Sequence, residues 1–151
     1  MMQLHSGEFM KPQLSDNLCF ALYTASNALT RAYRPLLERF DLTYGQYLVM
    51  QALWLEDRVS LTELSRQTRL DPGSLTPVVK RLEGKGMLTR TVSSEDERRK
   101  VIALTETGQA LQQQAAALKT ELEQKTDIDP EVIDTLRRHC LTLADQLTRV
   151  C

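Results

Sequence analysis

The sequence predicts a mainly α fold with one small β-hairpin set between helical ends. Apolar residues recur at three- and four-residue spacing along most of the chain, and helix-start signals stand at Asp16, Thr43, Ser60, Asp71 and Thr105. Only the stretch from Met87 to Thr105 changes to two-residue alternation, the period of a strand.

Ser15 or Asp16 can cap a first helix in which Leu14, Leu18, Leu22, Ala25 and Leu29 recur at helical spacing, and Pro35 is expected to break it. Thr43 and Gln46 form a capping box ahead of "YLVMQALWL", which is apolar nearly all round, as a core helix is. Ser60 and Glu63 make a second box that opens the short helix "LTELSRQTR". Asp71 with Pro72 starts the next helix, "GSLTPVVKRLE", and the glycines of "EGKG" stop it. "MLTRTV" and "RKVIALT" read as two strands joined by the charged loop "SSEDER". Thr105 then caps a long helix through "QALQQQAAALKTELEQ", and "DIDPEV" ends that helix and begins a last one at Pro130. There is no internal repeat.

At 151 residues the chain has one domain's length and an ordinary globular composition. No stretch reads as a signal peptide or as an apolar run long enough to cross a membrane, so the cytoplasm is the expected compartment and no membrane partner is expected. Residues 1–12 lack periodicity and are expected to be disordered. Three cysteines and two histidines, widely spaced, are poor material for a disulfide framework, a zinc site or a Cys/His hydrolase; no metal or cofactor is expected.

The net charge of −1 is unevenly placed. Residues 60–105 hold nine Lys/Arg against six Asp/Glu, net +3, while residues 106–151 hold five against eight, net −3. A basic middle between acidic flanks suits a polyanion.

A short helix, a tight turn, a second helix and a charged hairpin form the winged helix-turn-helix plan, whose second helix enters the major groove of DNA. Here that helix would present Ser74, Thr76, Lys80 and Arg81, and the hairpin tip would carry Arg98 and Arg99 toward a minor groove. The bland alternative is that these are solvated faces of an ordinary helical domain.

"LTELSRQTRLDPGSLTPVVKRLEGKGMLTRTVSSEDERRKVIALTETGQAL" resembles the DNA-binding lobe of the multiple antibiotic resistance regulator (MarR) family, with Asp96 and Arg98 matching its D-x-R wing motif. "LCFALYTASNALTRAYRPLLERFDLTYGQYLVMQALW" is similar to the organic hydroperoxide resistance regulator branch of that family. The two segments cover residues 18–111. The resemblance implies a homodimeric repressor that reads a pseudo-palindromic operator in double-stranded DNA. Residues 43–105 would then be the DNA-binding lobe, and residues 13–42 and 106–151 the dimerisation helices.

Cys19 gains a role from the same comparison. In the first turn of a helix, unpaired amides and the positive end of the macrodipole favour a thiolate, the form that attacks a peroxide. The branch implies that Tyr33 and Tyr44 hydrogen-bond the reactive sulfur. Fourteen residues of straight helix span about 21 Å, so Tyr33 can reach a Cys19 only on a partner subunit. Phe20, Leu22, Leu48 and Trp54 could line an apolar site for an organic hydroperoxide, though each reads equally well as core.

The resemblance also implies that members with a second cysteine form a disulfide between subunits, while single-cysteine members use a low-molecular-weight thiol. Cys140, in an ordered helix, is favoured slightly over Cys151 as the resolving residue, but the terminal Cys151 is freer to move. Two rival functions remain at this point. One is a repressor released by a small aromatic ligand, with Cys19 structural. The other is a thiol peroxidase, which would need an activating Arg or His that the sequence around Cys19 lacks, so the chain is expected not to be an enzyme.

Overall fold

The computed structural model describes residue 11, residues 13–92 and residues 100–150. The wing-tip residues Asp96, Arg98 and Arg99, the terminal Cys151 and the N-terminal segment expected to be disordered, apart from residue 11, lie outside the described residues. In order, the elements are α1 (Leu18–Glu38), α2 (Tyr44–Leu55), β1 (Val59–Ser60), α3 (Leu61–Thr68), α4 (Pro72–Gly84), β2 (Leu88–Val92), β3 (Lys100–Leu104), α5 (Glu106–Ala115), α6 (Leu118–Gln124) and α7 (Pro130–Val150). They fall into two compact units, residues 1–116 and residues 117–151.

Four of the expected caps form. Thr43 and Gln46 close a reciprocal box, and Ser60, Asp71 and Thr105 accept from the backbone N–H three residues on. Each such cap stabilises its helix by about 1 kcal/mol. The first helix differs. Asn17, not Ser15 or Asp16, caps α1, its Oδ1 accepting the Cys19 N–H at 2.8 Å. Residues Leu14–Asp16 form a single 3-10 turn, in which the Asp16 carboxylate accepts the Gln13 N–H instead.

Helix α1 also runs through Pro35 to Glu38. Proline removes one i→i−4 bond, and so close to the end the helix loses little by it. Leu36 and Leu37, on either side of the next peptide, are buried and hold the last turn in place. The helix expected from Thr105 through Gln124 is two, α5 and α6, interrupted at Ala116–Ala117. Both alanines keep right-handed backbone angles, and no local residue type announces the interruption.

The hairpin is part of a three-stranded antiparallel sheet in the order β1-β3-β2. Ile102 on the central strand pairs with Val59 on one side and Arg90 on the other. Strand β1 is only two residues long and has no alternation to read; pairing with β3 is what makes it a strand.

The core of the first unit gathers around α2, whose Val49, Met50 and Leu53 are fully buried together with Leu64 of α3, Leu75 and Leu82 of α4, and Leu88 of β2. Two long-range contacts seat α5 against this core. The Trp54 indole N–H donates to the Gly108 carbonyl at 2.9 Å, and the Gly108 Cα faces the Met87 carbonyl so closely that a Cβ would lie 2.1 Å from its oxygen. In the second unit α7 begins at Pro130, with Asp129 Oδ1 accepting the Glu131 N–H at 2.8 Å. Among the described residues no helix is long and apolar enough to cross a membrane.

Gly108→Ala sets helix propensity against sterics. Propensity favours alanine by about 1 kcal/mol, while overpacking against immobile backbone costs about 3 kcal/mol. The substitution should lower the stability by about 2 kcal/mol, seen as a lower urea midpoint at unchanged slope. An unchanged midpoint would show that α5 is not seated against Met87.

Candidate nucleic-acid interface and thiol site

Helices α3 and α4 are joined by a three-residue turn, Arg69–Asp71, the spacing of a helix-turn-helix. Arg69 takes a left-handed conformation (φ 61°) that ends α3, and the Ser65 hydroxyl donates to the Leu70 carbonyl at 2.5 Å across the turn. Leu75, Val79 and Leu82 occupy the inner face of α4. Lys80 and Arg81 are therefore turned outward and exposed, with no ion pair among the described residues.

Ser74 and Thr76 lie on the same helix, each with a local acceptor for its hydroxyl. The Ser74 hydroxyl donates to Asp71 Oδ1 at 2.6 Å, and the Thr76 hydroxyl donates to the Pro72 carbonyl at 2.8 Å. Their hydrogens are engaged within the helix and its cap, so each hydroxyl oxygen has acceptor capacity left to offer. The Asp71 carboxyl is held below its ordinary pKa, first by the Ser74 hydroxyl and then by the Ser74 amide.

Helix α4 is secured at its other end by two devices. Arg90 of β2 donates from Nε to Glu83 Oε2 at 3.2 Å and from Nη2 to Oε1 at 2.9 Å, a forked pair that ties the helix to the hairpin. Beyond it, the Met87 N–H returns to the Leu82 carbonyl at 3.0 Å around Gly86, whose φ of 74° suits glycine. Lys85, between these, directs its ammonium to Gln46 Oε1 at 2.9 Å and to the carbonyl of Asp41.

Cys19 is the second residue of α1 and is exposed. Its own amide is taken by Asn17. Tyr33, near the other end of α1, packs against Tyr44 and Tyr47 at the start of α2, with ring centroids 5.6 Å and 5.9 Å apart. The fold thus brings together the two tyrosines singled out in the sequence and adds a third. Tyr47 is buried, and burial, with Tyr44 second, pushes its hydroxyl pKa above the ordinary value. The repeat of aromatics in "YGQY" was the available signal for it. Because α1 is continuous from Leu18 to Glu38, this cluster lies about 14 residues, or roughly 21 Å, from the Cys19 of its own chain.

Of the other residues proposed around the thiol, Phe20 is exposed, Leu22 and Leu48 are half-buried, and Trp54 bonds to Gly108 and meets Tyr47 edge-on. A cavity of about 440 Å³ lies at the α1–α2 corner, lined by Thr30, Arg34, Asp41, Tyr44 and Lys85 among others. In the other unit Cys140 is half-buried on α7 with a free thiol. Large apolar side chains stand exposed on α1 (Leu18, Tyr23, Leu29) and on α7 (Val132, Leu136, Leu147).

Residues 31–115 match the family model described as transcriptional regulator SarA/Rot. The chain is 36% identical over 140 residues to the organic hydroperoxide resistance transcriptional regulator of Bacillus subtilis (strain 168), covering 93% of this chain and 95% of that one. Among solved structures it is similar to reduced AbfR bound to DNA, at a TM-score of 0.77 and 30% identity over 91% of this chain and 94% of the other. It is also similar to a disulfide-formed AbfR, at a TM-score of 0.61 and 32% identity over 91% of each chain. AbfR is a protein of Staphylococcus epidermidis.

The Glu83–Arg90 pair has a definite pH signature. Arg90 holds the Glu83 carboxyl below its usual range, so the folded state has the lower pKa; its stabilisation is complete above the unfolded value and lost as pH falls through the folded one. Glu83→Gln should therefore lower the thermal midpoint slightly at neutral pH, with the gap closing below about pH 4.3, the ordinary Glu value. Melting curves from pH 7 to 3 test this, and a gap that persists at pH 3 would assign the effect to something other than the carboxylate.

Proposed function

The chain belongs to the SarA/Rot group of MarR-like winged-helix proteins and is a DNA-binding transcriptional regulator, not an enzyme; from that premise we propose that it is a repressor switched off by organic hydroperoxides through Cys19. The reading holds that a homodimer grips a pseudo-palindromic operator, with α4 of each subunit in a major groove. Ser74, Thr76, Lys80 and Arg81 on α4, and Arg98 and Arg99 in the wing beside Asp96, would supply the contacts. Residues 43–105 serve as the DNA-binding lobe, and residues 13–42 and 106–151 join the two copies.

The observation that carries this reading is the layout of α1. An exposed cysteine in its first turn and a tyrosine cluster near its far end are too distant to meet within one chain. Two antiparallel copies of such a helix would set each thiol against the other's Tyr33 and Tyr44. The exposed apolar residues of α1 and α7 support a second copy as their cover.

In the sensing step the Cys19 thiolate attacks the terminal oxygen of ROOH. An S–O bond forms as the O–O bond breaks, the sulfur loses two electrons to become a sulfenic acid, and the alkoxide leaves with a proton as ROH. A resolving thiol, Cys140 or Cys151 of the partner or a low-molecular-weight thiol, would then displace water to form a disulfide. The likeness to a disulfide-formed AbfR supports that final state.

A second reading makes a small aromatic ligand the signal. The corner cavity, at about 440 Å³, favours it in size.

A duplex selected from random sequence by the reduced protein provides the assay. Cys19→Ser should bind that duplex as wild type does but remain bound when cumene hydroperoxide is added, because a hydroxyl lacks the thiolate's nucleophilicity. Release of the variant by the peroxide would mean that the sensor lies elsewhere, and release of wild type by aromatic acids but not by peroxide would favour the second reading. Lys80→Ala and Arg81→Ala should each weaken binding across sequences, lowering the slope of log K against log salt by about 0.9 for each phosphate that is no longer neutralised.

A further inference from the structure

We propose that Lys85 is a positioning residue that couples the tyrosine corner to the recognition helix, so that a displacement of Tyr44 is transmitted to the C-terminal end of α4. The proposal rests on the redox-switch reading and extends it from the thiol to the DNA-facing element.

Lys85 holds both sides of Tyr44. On one side, three residues before it, Asp41 ends the α1 corner with a φ of 54°, a left-handed conformation unfavourable for a residue with a side chain. The Leu42 N–H closes back to the Leu37 carbonyl at 3.2 Å around it, the pattern in which glycine is usual. Lys85 Nζ donates to the Asp41 carbonyl and stands 3.6 Å from its carboxylate Oδ2. On the other side, two residues after Tyr44, Gln46 Oε1 accepts from Lys85 Nζ and from the Thr43 N–H at 3.2 Å. The backbone that carries Tyr44 is thus bracketed by one ammonium.

The other end of Lys85 belongs to the recognition helix. Its backbone N–H donates to the Arg81 carbonyl at 3.0 Å, capping the turn that presents Arg81, and the following closure at Gly86 leaves that backbone little freedom. A four-methylene stem could absorb motion if its tip had no fixed partner. Here the tip has two hydrogen-bond acceptors, the Asp41 carbonyl and Gln46 Oε1, with the Asp41 carboxylate 3.6 Å away, and Gln46, at 2% exposure, is the buried polar residue of the described core. Pulling the ammonium away would leave that amide oxygen with the Thr43 N–H as its one remaining donor, and the loss of a hydrogen bond from a charged donor opposes separating the helix end from the corner. The corner has room to move, since the cavity bordered by Tyr44, Arg34 and Lys85 lies directly beside it.

A purely structural Lys85 would change stability alone, whereas a coupling residue changes how far oxidation alters DNA affinity. Lys85→Met removes the ammonium and keeps most of the stem. Two quantities are measured with the selected duplex: the rate of Cys19 loss on adding cumene hydroperoxide, by thiol titration, and the ratio of Kd for oxidised to reduced protein.

In wild type the ratio should lie in the range of about 5–150-fold usual for coupled sites; in Lys85→Met it should fall below about threefold while the oxidation rate stays within about twofold. Lys85→Arg, which can reach both acceptors, should recover most of the ratio. A wild-type ratio in Lys85→Met overturns the coupling, whatever happens to its melting temperature. If that variant does not fold, Lys85→Gln, uncharged and shorter, is judged by the same thresholds. A wild type whose affinity ignores peroxide overturns the redox reading itself.

Discussion

Helix α2 buries nearly its whole circumference, and the single polar side chain it buries, Gln46, has to be satisfied where water cannot reach. Val49, Met50 and Leu53 have no exposed surface, so neighbouring elements are placed by the need to cover them. The Gln46 oxygen then decides something more specific. It accepts from the backbone of its own cap and from Lys85, which draws the turn after α4 onto the corner before α2. A hydrogen bond from a charged donor to that buried oxygen is worth about 1.5–3 kcal/mol, a substantial part of what holds the two turns together.

The same packing leaves the recognition helix well anchored. Its start is closed by Asp71 and Ser74, its inner face by Leu75, Val79 and Leu82, and its end by Arg90, Gly86 and Lys85. Outward it offers Lys80 and Arg81, long cations on a fixed axis, which is the arrangement that docking in a groove requires. The tyrosine corner sits on the opposite end of the Lys85 link. On the proposed reading, sensing would fall to one helix and DNA binding to another, with one shared buried amide between them.

The candidate site was only partly legible in the sequence. Cys19, Tyr33 and Tyr44 stood out through family resemblance, and the separation of Cys19 from Tyr33 followed from helix geometry alone. Tyr47 was readable only as another core aromatic, because its role depends on Tyr33 coming within 5.9 Å across the corner. Lys85 lies between two glycines and looks like any solvated turn charge; its partners are 39 and 44 residues away. Ser74 and Thr76 were legible as residues that α4 presents, but not the local acceptors of their hydroxyls, Asp71 in the cap and the Pro72 carbonyl.

By itself the sequence determined what depends on a few neighbouring residues: the caps at Thr43, Ser60, Asp71 and Thr105, the buried character of α2, the alternation of β2 and β3, and the start of α7 at Pro130. These are local because a cap or an amphipathic period is decided within one or two turns. Tertiary structure decided the rest. Buried Leu36 and Leu37 carried α1 past Pro35, β3 made a strand of Val59–Ser60, and Lys85 met the left-handed Asp41 from across the fold. Each depends on a contact between residues far apart in the chain, whose free energy exists only once both sides have been brought together.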